Sequence, residues 1–321
     1  MSAGGGPATS SGRGGWRAGL LFGGVGMVCF SGTAPATRVA VPVFGAATVT
    51  CARIVIAAVL GAVTLAATGR LRWPGHRDVG GLLVMGIGLA VGYPLFLALA
   101  VDRVPAYHGA VVIGLTPAAT AAIAAVRAAE RPGSRFWLAS VVGLVTVVVF
   151  ALGQSGGGLQ LADALLAAAV VSCAIGYVEG ARTARRIGAV SALCWAMILL
   201  LPVAGPFLAW LATRDYPPVP ASAWAGLGYA GVASMFAGSL AWYHGLSTGG
   251  TARIGQLNLA QPFLAIVWSA VLVGEHITWA VPATAAVIVA CMAVCITSPS
   301  PTPPSTHALP DRTRITGDES P

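Results

Sequence analysis

The chain has no lysine and little charge of either sign. Its 18 basic residues are all arginine, Asp and Glu together number 10, and charged residues make up 9% of 321. Average usage is about 25%, so an ordinary solvated surface cannot be assembled from this composition. Aromatic residues stay at 7%. Period-two alternation of apolar and polar residues is absent, which argues against a lipid-facing β-barrel. The His, Cys, Asp and Glu residues show no ligand spacing for a metal. No Ser-His-Asp arrangement and no Gly-Lys phosphate loop stands out either, so nothing points to an enzyme or to a cofactor.

The chain is instead apolar throughout. Hydrophobic residues reach 56% and mean hydropathy is +0.81. Runs of about 20 apolar residues recur along the chain, each able to cross a bilayer as a helix. In lipid the backbone must satisfy itself, which leaves helices. The pattern predicts ten spans: 18–39, 45–67, 79–99, 107–126, 136–152, 163–181, 190–211, 223–246, 254–273 and 279–297. Segments 1–15 and 298–321 are rich in Gly, Ser, Thr and Pro and read as disordered tails. Arg13 and Arg17 before an apolar run, with Ala34-Pro35-Ala36 after it, resemble a signal peptide. Cleavage there would leave nine spans, and the first span is read as retained.

The arginines orient the spans. With the N-terminus cytoplasmic, thirteen of them fall inside: Arg13, Arg17, Arg70, Arg72, Arg77, Arg127, Arg131, Arg135, Arg182, Arg185, Arg186, Arg312 and Arg314. Only Arg38, Arg103 and Arg214 fall outside. That bias predicts both termini in the cytoplasm. It also explains the net charge of +8 by helix-end clusters, so no nucleic-acid partner is expected.

One pattern occurs twice. Pro117 and Glu130 are 13 residues apart, as are Pro262 and Glu275, and the two copies are 145 residues apart. Two sets of five spans result, 16–153 and 160–297. Five is odd, so the halves enter the membrane with opposite orientation. Inverted repeats of this kind form solute sites where they meet. The expected fold is therefore an all-α integral membrane protein of about ten transmembrane helices in two inverted five-helix repeats. One copy suffices for a pathway, and the sequence does not fix the oligomeric state.

Several stretches resemble the EamA-type family of the drug/metabolite transporter superfamily. In the first half they are Ala106-Tyr107-His108-Gly109-Ala110, then Pro117, then Ala129-Glu130-Arg131-Pro132. In the second half they are Leu240-Ala241-Trp242-Tyr243-His244-Gly245-Leu246, Asn258-Leu259-Ala260-Gln261-Pro262 and Leu272-Val273-Gly274-Glu275. Leu161-Ala162-Asp163 with Ser172, Tyr177 and Arg182 resembles the start of that half, and Phe30-Ser31-Gly32 is a weaker match in the first span. Gln261 stands where the family often has Glu or Asn. The resemblance implies ten helices and movement of small metabolites, without naming the solute. The expected function is secondary transport of a small polar metabolite, such as an amino acid, across the cell membrane by alternating access, in the export direction. The alternatives are a multidrug or cationic-compound exporter and, from another class, a membrane-embedded enzyme.

Individual residues carry that expectation. Pro117 and Pro262 each remove a backbone hydrogen bond mid-span and are read as hinges whose freed carbonyls, near Ile113 and Asn258, face a cavity. Arg53 lies within the second span, where a charge costs about 2.5–3.5 kcal/mol. It is either a counter-charge for the solute or a structural pair with helix carbonyls. Asn258 and Gln261 share a face that Ala265 and Trp268 continue, with Leu259 pointing elsewhere. Thr116, Tyr93, Ser239, Trp242, Tyr243 and His108 complete the expected pathway. Trp242 and Tyr243 fit an interfacial aromatic belt equally well, and His108 an interfacial hydrogen bond. Asp163 is expected to cap the sixth span, Glu179 to pair with Arg182, and Gly88 and Gly92 to make a close-packing face. The six cysteines read as small apolar residues.

Overall fold

The computed structural model describes residues 11–128, 134–154, 160–214, 216, 218–249, 254 and 256–297. Glu130, Arg131 and Arg253, residues 1–10 and 298–321, and the connection at 155–159 lie outside them, while 11–15, expected to belong to a disordered tail, form the start of the first helix. Every regular element among the described residues is helical. They are α1 (Ser11–Ser31), α2 (Thr33–Phe44), α3 (Ala46–Ala67), α4 (His76–Gly86), α5 (Tyr93–Val101), α6 (Ala106–Ile113), α7 (Thr116–Ala128) and α8 (Ser134–Gln154). Then come α9 (Leu161–Ile187), α10 (Ala189–Ile198), α11 (Leu201–Leu211), α12 (Ala221–Gly228), α13 (Ser239–Gly249), α14 (Gln261–Trp268) and α15 (Ala280–Thr297). Three π-helical stretches join or extend these rods, at Ile87–Gly92, Tyr229–Gly238 and Ser269–Val273, and a 3₁₀ turn at Gln256–Ala260 precedes α14.

Among the described residues, five helical stretches are long and apolar enough to cross a membrane: Arg17–Phe44, Ala46–Ala67, His76–Val101, Ala106–Ala124 and Leu161–Ile187. A sixth arises if Ala189–Ile198 and Leu201–Leu211, bent by 45°, count as one. Shorter apolar helices lie at Trp137–Gly153, Leu257–Val273 and Ala280–Val294. Large apolar side chains face outward at helical spacing, as with Val59 and Val63 on α3 or Leu138, Val141 and Val145 on α8. Apolar exposure at this spacing suits helices that face lipid.

Where the spans depart from plain α-helices, local chemistry accounts for it. The seventh expected span breaks at Leu199–Leu200 because Pro202 has no N–H to continue the ladder. The fourth breaks at Gly114–Leu115, just before Pro117. The ninth is 3₁₀, then α, then π, with Pro262 in the first turn of α14. Gly45 turns α2 into α3 and Gly188 turns α9 into α10, each in one residue at φ 78 or 85 and ψ 156 or 146. Only glycine adopts that region without strain.

Element starts recur down the chain. The helical rod from His76 to Val101 has a counterpart from Ala221 to Gly249 that starts 145 residues later. The π-helical stretch inside the first also has a counterpart inside the second. Contacts recur in the same sense. Helix α1 packs against α13, while α4 and α5 pack against α9. Helix α3 meets α10 and α11, and α8 meets α15.

Glycines set how closely these rods approach. A Cβ on Gly88 would meet Ser172 O at 2.6 Å and the Gly176 backbone at 2.8 Å. A Cβ on Gly245 would meet Gly23 N at 2.5 Å. Gly88 and Gly92 therefore lie on a close-packing face, against Ser172 and Gly176 of α9.

Candidate functional site

A cavity of ≈ 110 Å³ lies among the helices. A water needs about 10–15 Å³ on this measure, so there is room for several waters or one small solute. Its wall mixes residues from before and after the connection at 155–159. From the first part come Ser31, Thr33, Arg53, Tyr93, Thr116 and Pro117. From the second come Cys173, Tyr177, Ser234, Ser239, Trp242, Tyr243, Asn258, Gln261 and Pro262.

Local breaks aim polar groups into this space. Pro117 lacks the N–H that the carbonyl of Ile113 would accept. The Thr116 hydroxyl takes that place, donating to Ile113 O at 2.7 Å. The carbonyl expected to be free, at the end of α6, is thus capped from the first residue of α7. In the ninth segment the 3₁₀ turn brings residues three apart into register, so Asn258 and Gln261 both reach the wall. Leu259, expected to point elsewhere, also borders the cavity.

Hydroxyls close one wall. Thr33 Oγ1 and Ser234 Oγ lie 2.6 Å apart and link α2 to the second π-helical stretch. Ser31 donates to Val28 O at 2.7 Å and accepts from the Trp268 indole N–H at 2.9 Å. Trp268 therefore positions a lining residue and is not itself among those around the cavity. Trp242 lines the cavity with 7% of its surface exposed, its ring edge-on to Phe30.

Arg53 is the charged side chain among the described lining residues. It is 2% exposed, and its Nε and Nη1 have no hydrogen-bond partner among the described residues. Asn258 Oδ1 is likewise buried and without a partner there.

His108 stands apart from the cavity. It is buried, its Nε2 lies 2.8 Å from Asp163 Oδ1, and its ring tilts over Phe150 at 5.2 Å. Asp163 also accepts from the Gln160 backbone N–H at 2.8 Å, so it caps α9 while tying that helix to α6. Glu275 caps a helix distant in sequence. Its carboxylate accepts from the Ala106 N–H at 2.7 Å and the Tyr107 N–H at 3.2 Å, at the start of α6. Glu179 pairs with Arg182 at 3.3 Å and also with Arg127, joining α9 to α7.

Ten of the twelve residues expected along the pathway thus border one cavity: Arg53, Tyr93, Thr116, Pro117, Ser239, Trp242, Tyr243, Asn258, Gln261 and Pro262. Reading the sequence for pathway residues passes over Thr33, Ser234 and Cys173. Tyr177, four residues from Cys173 and so on the same helix face, enters only through resemblance.

The EamA-like transporter family matches the chain at residues 17–152 and again at 160–298. The chain belongs to the EamA-like transporter family. It is 39% identical over 275 residues to the uncharacterized transporter YdeK of Bacillus subtilis (strain 168), which covers 86% of this chain and 96% of that protein. A solved protein structure shares the fold with a TM-score of 0.58 at 23% identity, covering 87% of this chain and 96% of its own. This EamA-family chain is accordingly a multi-pass membrane transporter.

Proposed function

We propose that this EamA-family chain is a secondary transporter of the cytoplasmic membrane that exports a small polar metabolite, such as an amino acid or a related solute. It works by alternating access between two inverted five-helix halves, 16–153 and 160–297, with both termini cytoplasmic. The observation that carries this reading is a cavity whose wall carries polar groups from both halves of an otherwise apolar bundle. The twofold family match, the 145-residue recurrence of helical rods and the interchange of contacts between α1–α13 and α5–α9 support the pairing of halves. The breaks before Pro117 and around Pro262 supply bending points beside the cavity. The arginine asymmetry supports the orientation.

The experiment is solute exchange in reconstituted vesicles of known orientation, against amino acids and cationic drugs. Saturable, faster efflux of an amino acid from the cytoplasmic side is expected. Exchange of cationic drugs alone would favour the multidrug reading, and exchange of nothing would overturn the transport reading. Reporter fusions after Ser10 and after Ser298 test the topology; a C-terminus on the outer side would remove the inverted arrangement.

A further inference from the structure

We infer that the cavity recognises its solute through a single carboxylate held by Arg53, and that an amino group on the solute is dispensable. The inference rests on the transport reading above and sharpens it to a charge class. Arg53 is buried, borders the cavity, and leaves Nε and Nη1 without a partner among the described residues. A guanidinium offers five N–H donors in a planar fork. That fork matches a carboxylate, which can accept two parallel hydrogen bonds. The described residues lining the cavity include no Asp or Glu, so the negative partner comes from the solute. A phosphate dianion is a poorer fit, because no second cation borders the cavity among the described residues.

The remaining polar wall is neutral. Asn258 Oδ1 is an acceptor without a partner among the described residues, and the Thr33 and Ser234 hydroxyls are already paired to each other. Tyr93 and Tyr177 add hydroxyls that both donate and accept. With the Gln261 amide and the Ser239 and Tyr243 hydroxyls, such a wall offers an ammonium only neutral acceptors and meets an alcohol or a carbonyl equally well. Charge discrimination therefore falls on Arg53, and an ammonium at the same position would face it unscreened. The size of the cavity limits the solute to a few heavy atoms beyond the carboxylate.

The test uses the full-length protein in vesicles and in detergent, with four probes: alanine, lactate, alaninol and tetraphenylphosphonium. Exchange is measured by counterflow and binding by thermal shift. Alanine and lactate are expected to exchange and to raise the melting temperature, while alaninol and tetraphenylphosphonium do neither. Arg53→Gln is expected to lower apparent affinity for both carboxylates at least tenfold, and Arg53→Lys to restore part of it. Gly80→Ala, on the exposed side of α4, is the unchanged control. The wild-type probe series decides the matter even if Arg53→Gln fails to fold. Exchange of alaninol matching that of alanine would overturn the charge assignment and leave transport intact, as would wild-type affinity in both Arg53 variants. Silence of all four probes in both assays would overturn this inference, and the wider solute panel above then judges transport by itself.

Discussion

Gly88→Ala tests whether the first π-helical stretch and α9 pack as tightly as the glycine seam requires. A Cβ at this position meets Ser172 O at 2.6 Å and the Gly176 Cα and N at 2.8 Å. Ordinary contact begins near 3.4 Å, so roughly 0.8 Å must open between the first π-helical stretch and α9. The obstructing atoms are backbone, so no side chain can rotate away. Overpacking of this kind costs about 1–3 kcal/mol. Helix propensity acts the other way, since Ala is better than Gly by about 0.8–1 kcal/mol. The sign of the net change therefore reports which effect wins. Gly80→Ala is the matched control, because nothing lies within 4 Å of its added Cβ. Thermal unfolding followed by size-exclusion chromatography in detergent should place Gly88→Ala below wild type and Gly80→Ala at or above it. If the two variants unfold together, the seam is not close-packed and the reasoning fails.

Other outcomes rest on the same contacts. Glu275→Ala leaves the Ala106 and Tyr107 N–H groups without their carboxylate and should destabilise the protein by about 1–3 kcal/mol; an unchanged unfolding temperature would mean that water replaces the cap at no cost. Asp163→Ala removes a helix cap and the partner of His108 together, so it should lower the unfolding temperature more than His108→Gln does; equal effects would show that the cap contributes little. Gln261→Ala should change solute affinity more than Val267→Ala, whose side chain is half exposed on the outer face of the same helix; the reverse order in a counterflow assay would remove Gln261 from the pathway. Pro262→Ala should slow exchange without lowering the unfolding temperature, because it restores a backbone donor in α14; faster exchange would count against a hinge.

Class and helical character lie near the surface of the sequence, because bilayer length and low charge constrain the chain everywhere. The cavity is partly legible for the same reason. Arg53, Asn258 and Gln261 are conspicuous where an apolar residue is the default. Thr33 and Ser234 are not conspicuous, since small hydroxyl residues are common in membrane helices and their partnership spans 201 residues. Glu275 reads locally as the end of its own segment, yet its carboxylate serves the start of α6. Only tertiary packing brings those atoms, 169 residues apart, together. Leu259 escapes the sequence pattern for a different reason: an apolar side chain at the cavity wall reads like one that faces lipid. His108 has the polarity of a pathway residue, but Asp163 holds it against α9.

The π-helical stretches at Ile87–Gly92, Tyr229–Gly238 and Ser269–Val273 bear on how the chain tolerates changes in length. A π-turn closes its hydrogen bond one residue later than an α-turn, so it stores one surplus residue without rotating the helix beyond it. Deleting one residue from such a stretch can be absorbed by reverting to α winding. Deleting one from the middle of α3 or α9 instead turns every later side chain of that helix by about 100°. A single-residue deletion scan should therefore find its permissive positions inside these rods at the π-helical stretches, and uniform intolerance along the rods would show that the surplus is not free to be lost. Insertions and deletions among relatives would then concentrate beside the cavity, at Leu89 and Ser234, and not in the loops alone.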